Sequence, residues 1–144
     1  MTPQQVRLVQ ETFGMVEPIA ETAAALFYNR LFTLDPSLRP MFRGDIAEQG
    51  RKLMAALTLV TPGPSMPEKI LPAVRALGQR HASYGVLDEH YATVGAALLW
   101  TLEQGLGAHF TQQVHDAWAA AYTLLAGEMR AAANEAPRVL PRTA

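Results

Sequence analysis

Apolar residues recur along this chain at intervals of three and four, with no sustained alternation of period two, so the pattern predicts an all-α protein. Thr2 before Pro3 reads as an N-cap with proline at the first helical position, and Val6, Val9, Phe13 and Val16 then form one face. A second helix is expected over 18 to 34, carrying Ile19, Ala23, Phe27, Leu31 and Leu34, with Asp35-Pro36 as its stop. After a short piece at 36 to 42, Asp45 predicts a cap for a helix over 46 to 60 whose stripe is Ile46, Leu53, Leu57 and Val60. TPGPSMP, 61 to 67, is a loop. Residues 67 to 84 carry Ile70, Val74, Leu77 and Tyr84 and end at Gly85. Asp88 then opens a long helix with Tyr91, Val94, Leu98, Leu102 and Leu106, closed by Gly107. Thr111 caps the last helix, whose face is Val114, Trp118, Tyr122, Leu125 and Met129. Two prolines in NEAPRVLPRTA predict a fraying end, so residues 1–133 are expected to form one domain and 134–144 a flexible tail.

Composition narrows the chemistry. At 144 residues and 49% hydrophobic side chains, one compact domain is expected. Twelve basic against thirteen acidic residues leave a formal charge of −1, which argues against nucleic acid or an anionic membrane surface as partner. No apolar run approaches the roughly 18 residues of a membrane span, and MTPQQVRLVQ lacks the apolar core of a signal peptide, so a soluble cytoplasmic protein is expected. Cysteine is absent, which excludes disulfides and thiolate metal sites and leaves histidine as the metal-binding option. HExxH, GxSxG and GxxxxGK[ST] are all missing, so zinc-hydrolase, serine-hydrolase and P-loop readings have no foothold.

The informative residues are polar ones on apolar stripes. Val74, Leu77, His81 and Tyr84 step by three, four and three, so His81, in GQRHASYGV, points toward the core. Gln49 lies between Ile46 and Leu53 at the same spacings, and Tyr28 sits at the edge of the second helix's stripe. A buried imidazole or amide left unpaired costs about 1–3 kcal/mol, so each needs a partner. Taken singly, each is more often an ordinary core residue with a satisfied polar atom than a ligand. Together they converge from three helices, and an aliphatic bundle has no use for them. His90, His109 and His115 are expected at the surface.

LGQRHASYGV, DEHYATVGAALLWTLEQGLG and FTQQVHDAWAAAYTLLAGEM, in that order, resemble the region from the proximal helix to the last helix of bacterial single-domain globins, neuroglobin-like globins and the globin half of flavohaemoglobins. Upstream, LFYNRLF, DPSLRPMF and EQGRKLM resemble the second helix, CD corner and distal helix of the same families, so the likeness runs from about residue 3 to 133.

The resemblance implies a globin fold, a three-over-three helical sandwich around haem b, filling residues 1–133. His81 is then the proximal iron ligand, Phe42 packs on the macrocycle, and Tyr28, Gln49 and Leu53 form the distal pocket. Lys52 and Arg80 are placed to meet the propionates, with Leu77, Val86, Tyr91 and Val94 along the porphyrin. Dioxygen, nitric oxide and carbon monoxide are the implied ligands, and a Tyr/Gln distal pair implies tight oxygen binding. Two departures matter. A glutamine stands where neuroglobin-like relatives often have a distal histidine, and Ala133 stands where flavohaemoglobins have a glutamate that, with the tyrosine matched by Tyr91, polarises the proximal histidine. Flavohaemoglobins continue into an FAD and NADH reductase, for which residues 134–144 offer no room, so any electron donor is expected to be a separate protein. Three functions stay open at this point: reversible oxygen binding by a monomer or homodimer, nitric oxide dioxygenation with an external reductase, and a gas-sensor module.

Overall fold

The structure, a computed structural model, describes residues 2–42, 45–58, 67–83 and 86–139, with the side chains at 46, 67–71, 83 and 135–139 outside that description. The placements expected for Ile46, Val60, Ile70, Tyr84, Gly85 and the loop at 61–66 lie outside it too. Six α-helices occur among the described residues, and no strand.

Helix α1, Pro3–Val16, begins with a reciprocal cap: the Gln5 N–H donates to Thr2 Oγ1 at 3.1 Å and the Thr2 N–H donates to Gln5 Oε1 at 2.9 Å. Helix α2, Ala20–Leu34, starts later than the pattern suggested because Glu17–Ile19 is a 3-10 turn. Pro18 has no N–H for the helical ladder, so the chain tightens there instead of continuing. The ends of the predicted stripe overshoot the core: Ile19 and Leu34 are 38% and 43% exposed. A 3-10 segment, Pro36–Met41, follows, capped by Asp35, whose Oδ1 accepts from the Ser37 N–H. Helix α3, Ile46–Thr58, has its predicted cap, with the Glu48 N–H donating to Asp45 Oδ1 at 2.7 Å. Helix α4, Pro67–Ser83, tolerates Pro72 within it.

Helix α5, Asp88–Leu106, stops at Gly107, whose φ of 54° is cheap only for glycine. Asp88 lies inside its first turn and does not cap it; the cap position is Leu87. Helix α6, Gln112–Val139, starts under the Thr111 hydroxyl, which accepts from the Val114 N–H, and its helical backbone runs on past residue 133.

The main core joins α1, α2, α5 and α6, with Val9, Leu31 and Trp118 completely enclosed. The Trp118 indole N–H reaches the Thr12 hydroxyl at 2.8 Å, so its one polar atom is satisfied inside the core. A smaller cluster, Val74, Tyr91, Leu125, Ala126 and Met129, ties α4 to α5 and α6. Helices α3 and α4 are each seated by a glycine. A Cβ on Gly50 would lie 2.6 Å from the Ala24 Cβ of α2, and one on Gly78 would overlap the Met129 backbone of α6. Among the described residues no helix is long and apolar enough to cross a membrane.

Candidate functional site

Two groups of the sequence-predicted residues stand on different elements. On α2 and α3, Tyr28 is 4% exposed, and its ring meets Phe27, Phe32 and Phe42 at centroid distances of 4.9, 6.1 and 5.3 Å. The Tyr28 hydroxyl donates to the backbone carbonyl of Gln49 at 3.0 Å. Burial pushes its pKa up to about 12, so the phenol keeps its proton throughout the neutral range. Gln49 is partly buried on α3, and Leu53, one turn on, packs against the main core with Phe42. Lys52 is exposed on the same helix, 3.9 Å from Glu48.

On α4, His81 is partly buried, and its Nδ1 lies 2.9 Å from the Leu77 carbonyl oxygen. A carbonyl only accepts, so Nδ1 carries the proton and Nε2 the ring's lone pair. Burial lowers the imidazole's pKa below the usual 6.5; the Leu77 bond opposes this and the Arg80 charge adds to it. The ring is therefore neutral at pH 7, the state and tautomer in which histidine ligates a metal through Nε2. The Val86 N–H donates to the His81 carbonyl at 3.2 Å, which ties Val86 to the last turn of α4. Leu77 and Val86 pack on the cluster that contains Tyr91, whereas Val94, a turn later on α5, packs on the main core; Arg80 is exposed.

Some of these residues behave differently from the sequence expectation. His90 is 9% exposed, not a surface residue: its Nδ1 accepts from the Leu87 N–H at 2.9 Å and satisfies an amide at the start of α5. His109 is exposed, and His115 is half-buried beside Asp116. Tyr91 is buried, and its backbone carbonyl accepts from the Tyr122 hydroxyl at 2.6 Å, but its own hydroxyl has no hydrogen-bond partner among the described residues. Ala133 lines the same cleft as Tyr91. Gly50 and Gly78 were missed as determinants of the site. Their signal was available, since a glycine inside a helix needs a packing reason and each lies within a turn of a residue singled out. No group of three or more His, Asp or Glu that could hold a metal ion occurs among the described residues.

The globin family model matches residues 25–129, and the chain belongs to the globin family. Its fold is the all-α globin fold. It is 34% identical over 129 residues to a flavohemoprotein of Bordetella parapertussis, and 33% identical over 132 residues to one of Deinococcus radiodurans. Those alignments take in 88% and 90% of this chain but 32% and 33% of the relatives, so the chain spans about a third of their length. Among solved structures, a bacterial globin of Campylobacter jejuni superposes with a TM-score of 0.82 at 23% identity, covering 93% of this chain and 97% of that one. An engineered carbene transferase from a proposed nitric oxide dioxygenase of Rhodothermus marinus gives 0.87 at 26% identity, covering 98% and 99%.

Proposed function

We propose that this globin binds haem b and uses it to hold dioxygen reversibly, with His81 as the proximal ligand. The observation that carries this reading is the state of His81: partly buried on α4, neutral, with its Nδ1 proton held by the Leu77 carbonyl, the tautomer in which histidine ligates iron through Nε2. Phe42, Leu53, Leu77, Val86, Tyr91 and Val94 would supply the apolar contact surface, and the exposed Lys52 and Arg80 would meet the propionates. Residues 1–133 would form the haem-binding domain, with 134–144 appended to it.

Haem, held by His81, would supply an iron that takes a diatomic gas. Tyr28 holds its proton on Oη and offers it to an electronegative ligand in a low-dielectric pocket; the Gln49 amide offers a second donor. In this structure the Tyr28 hydroxyl is spent on the Gln49 carbonyl, so it must leave that bond to serve a ligand. Giving up a hydrogen bond of about 0.5–1.5 kcal/mol lowers the affinity that the tyrosine confers by up to roughly tenfold. Oxygen binding is therefore tight but tempered.

The test is the visible spectrum. The purified protein should show a Soret band, and His81→Gly should abolish it, with partial return on adding imidazole. A colourless wild-type protein, or an unchanged band in His81→Gly, rejects the assignment.

A second reading is nitric oxide dioxygenation supported by a separate reductase, favoured by likeness to the globin third of flavohemoproteins and to the Rhodothermus marinus protein. Repeated nitric oxide consumption with nitrate formation, when a flavin reductase and NADH are supplied, supports it; a single turnover supports the carrier.

A further inference from the structure

Helices α2 and α5 pack side by side, and Arg30 of α2 lies across the seam, its Cζ 5.1 Å from the centroid of the Trp100 ring of α5. Both residues are half-buried. Of the guanidinium nitrogens only Nε is enclosed, and the side chain has no hydrogen-bond or ion-pair partner among the described residues. A partly desolvated arginine normally has a carboxylate beside it, and this one lacks one. Arg30 is also the single lysine or arginine of the two helices, so an acidic group arriving on this face has one cation to meet.

Leu26, Arg30 and Leu34 follow at four-residue steps and share one face of α2. Ile19, in the 3-10 turn before α2, reaches the far end of α5: its Cδ1 lies 3.5 Å from where a Cβ on Gly105 would stand. Ile19 and Leu34 are two of the five large apolar side chains exposed among the described residues, so apolar surface is concentrated along this seam. On α5, Ala96 and Glu103 lie one turn either side of Trp100 and are exposed, and the Glu103 carboxylate has no ion pair among the described residues. An apolar strip centred on a tryptophan and an arginine has the composition of an interface core, where those two residue types are enriched.

We propose that this α2–α5 face pairs with the same face of a second copy of the chain, about a two-fold axis beside Trp100. Two-fold pairing makes every contact twice in reversed order, so a face that carries both an unpaired arginine and an unpaired glutamate complements itself. Arg30 of each copy meets the partner's Glu103, the two tryptophans meet at the centre, and Ile19 and Leu34 are covered at the ends. An acidic partner protein would satisfy Arg30 but set its charge against Glu103, which disfavours it. The pairing uses none of the residues assigned to haem and stands whether or not His81 holds iron.

Sedimentation equilibrium of the full chain over a concentration series tests it. A dimer with a Kd of about 1–10 µM is expected. Arg30→Glu and Glu103→Arg should each weaken it at least about tenfold, because each sets like charges face to face, and the double variant should restore it. Leu34→Glu should weaken the dimer while sparing the fold, since that side chain is already exposed, and it carries the test if the charge reversals lose helicity. A chain still monomeric at roughly 100 µM, a dimer indifferent to all three single variants, or a double variant no better than its parents overturns the proposal. Mass is read here, not colour, so failure of the pairing and failure of the haem reading are separate results.

Discussion

Two buried tyrosines of this globin, on different helices, meet different fates. Tyr28, on α2, is enclosed by phenylalanines and donates a hydrogen bond from its hydroxyl to the α3 backbone carbonyl of Gln49. Tyr91, on α5, is as well buried, has a neighbouring tyrosine bonded to its carbonyl, and has no partner for its own hydroxyl among the described residues. The same side chain therefore braces a neighbouring helix in one place and does no such bracing through its hydroxyl in the other, among the described residues. Burial alone does not tell the two apart; the difference lies in whether a backbone acceptor was brought within reach.

The largest effect expected from breaking this arrangement comes from the glycines that seat α3 and α4. Gly78→Ala should lose about 3 kcal/mol, because its Cβ meets the Met129 backbone, which cannot turn away. Gly50→Ala should lose nearer 1 kcal/mol, since it meets only the Ala24 methyl and gains helix propensity. Urea midpoints at constant slope measure both, and equal losses would mean that the two sides are seated alike.

Next comes Tyr28→Phe. Oxygen should dissociate about tenfold faster, the net of a charge-assisted hydrogen bond lost and a carbonyl bond no longer given up, with carbon monoxide much less affected. Stopped-flow dissociation reads this directly, and an unchanged rate would place the hydroxyl permanently on Gln49.

A smaller effect appears at alkaline pH. With its folded pKa raised from 10.0 to about 12, Tyr28 contributes stability that is fully present below pH 10 and lost as pH rises toward 12. Tyr122, also raised by burial, acts in the same direction. The fall in stability between pH 10 and 12 should be shallower in Tyr28→Phe. Lys52→Ala should do least, under about 0.5 kcal/mol, because its pairing with Glu48 is exposed.

Much of the fold was legible in the sequence because its punctuation is local. Thr2, Asp45, Thr111 and Gly107 each act on amides or dihedrals within three residues, and each does what its residue type implied. Pro18 was legible as a junction but not as a 3-10 turn, since that depends on how the chain re-enters the core. The site was readable as directions, not as partners. Periodicity turned Tyr28, Gln49 and His81 inward, but the bond from Tyr28 to a carbonyl 21 residues away comes from the α2–α3 crossing, which one chain's pattern does not encode. His90 was misread for the same reason in reverse: its acceptor role is local, but its burial is set by the neighbouring helices.

The hydrogen bond from Trp118 to Thr12 joins residues 106 positions apart. On a ribosome adding about 5–20 residues per second, α1 is finished roughly 5 to 20 s before the indole that locks it is made. For that interval Val9 and Phe13 of the first helix lack the α6 side of the core they share. The birth of this globin therefore has a waiting period built into it, and the last helix ends it.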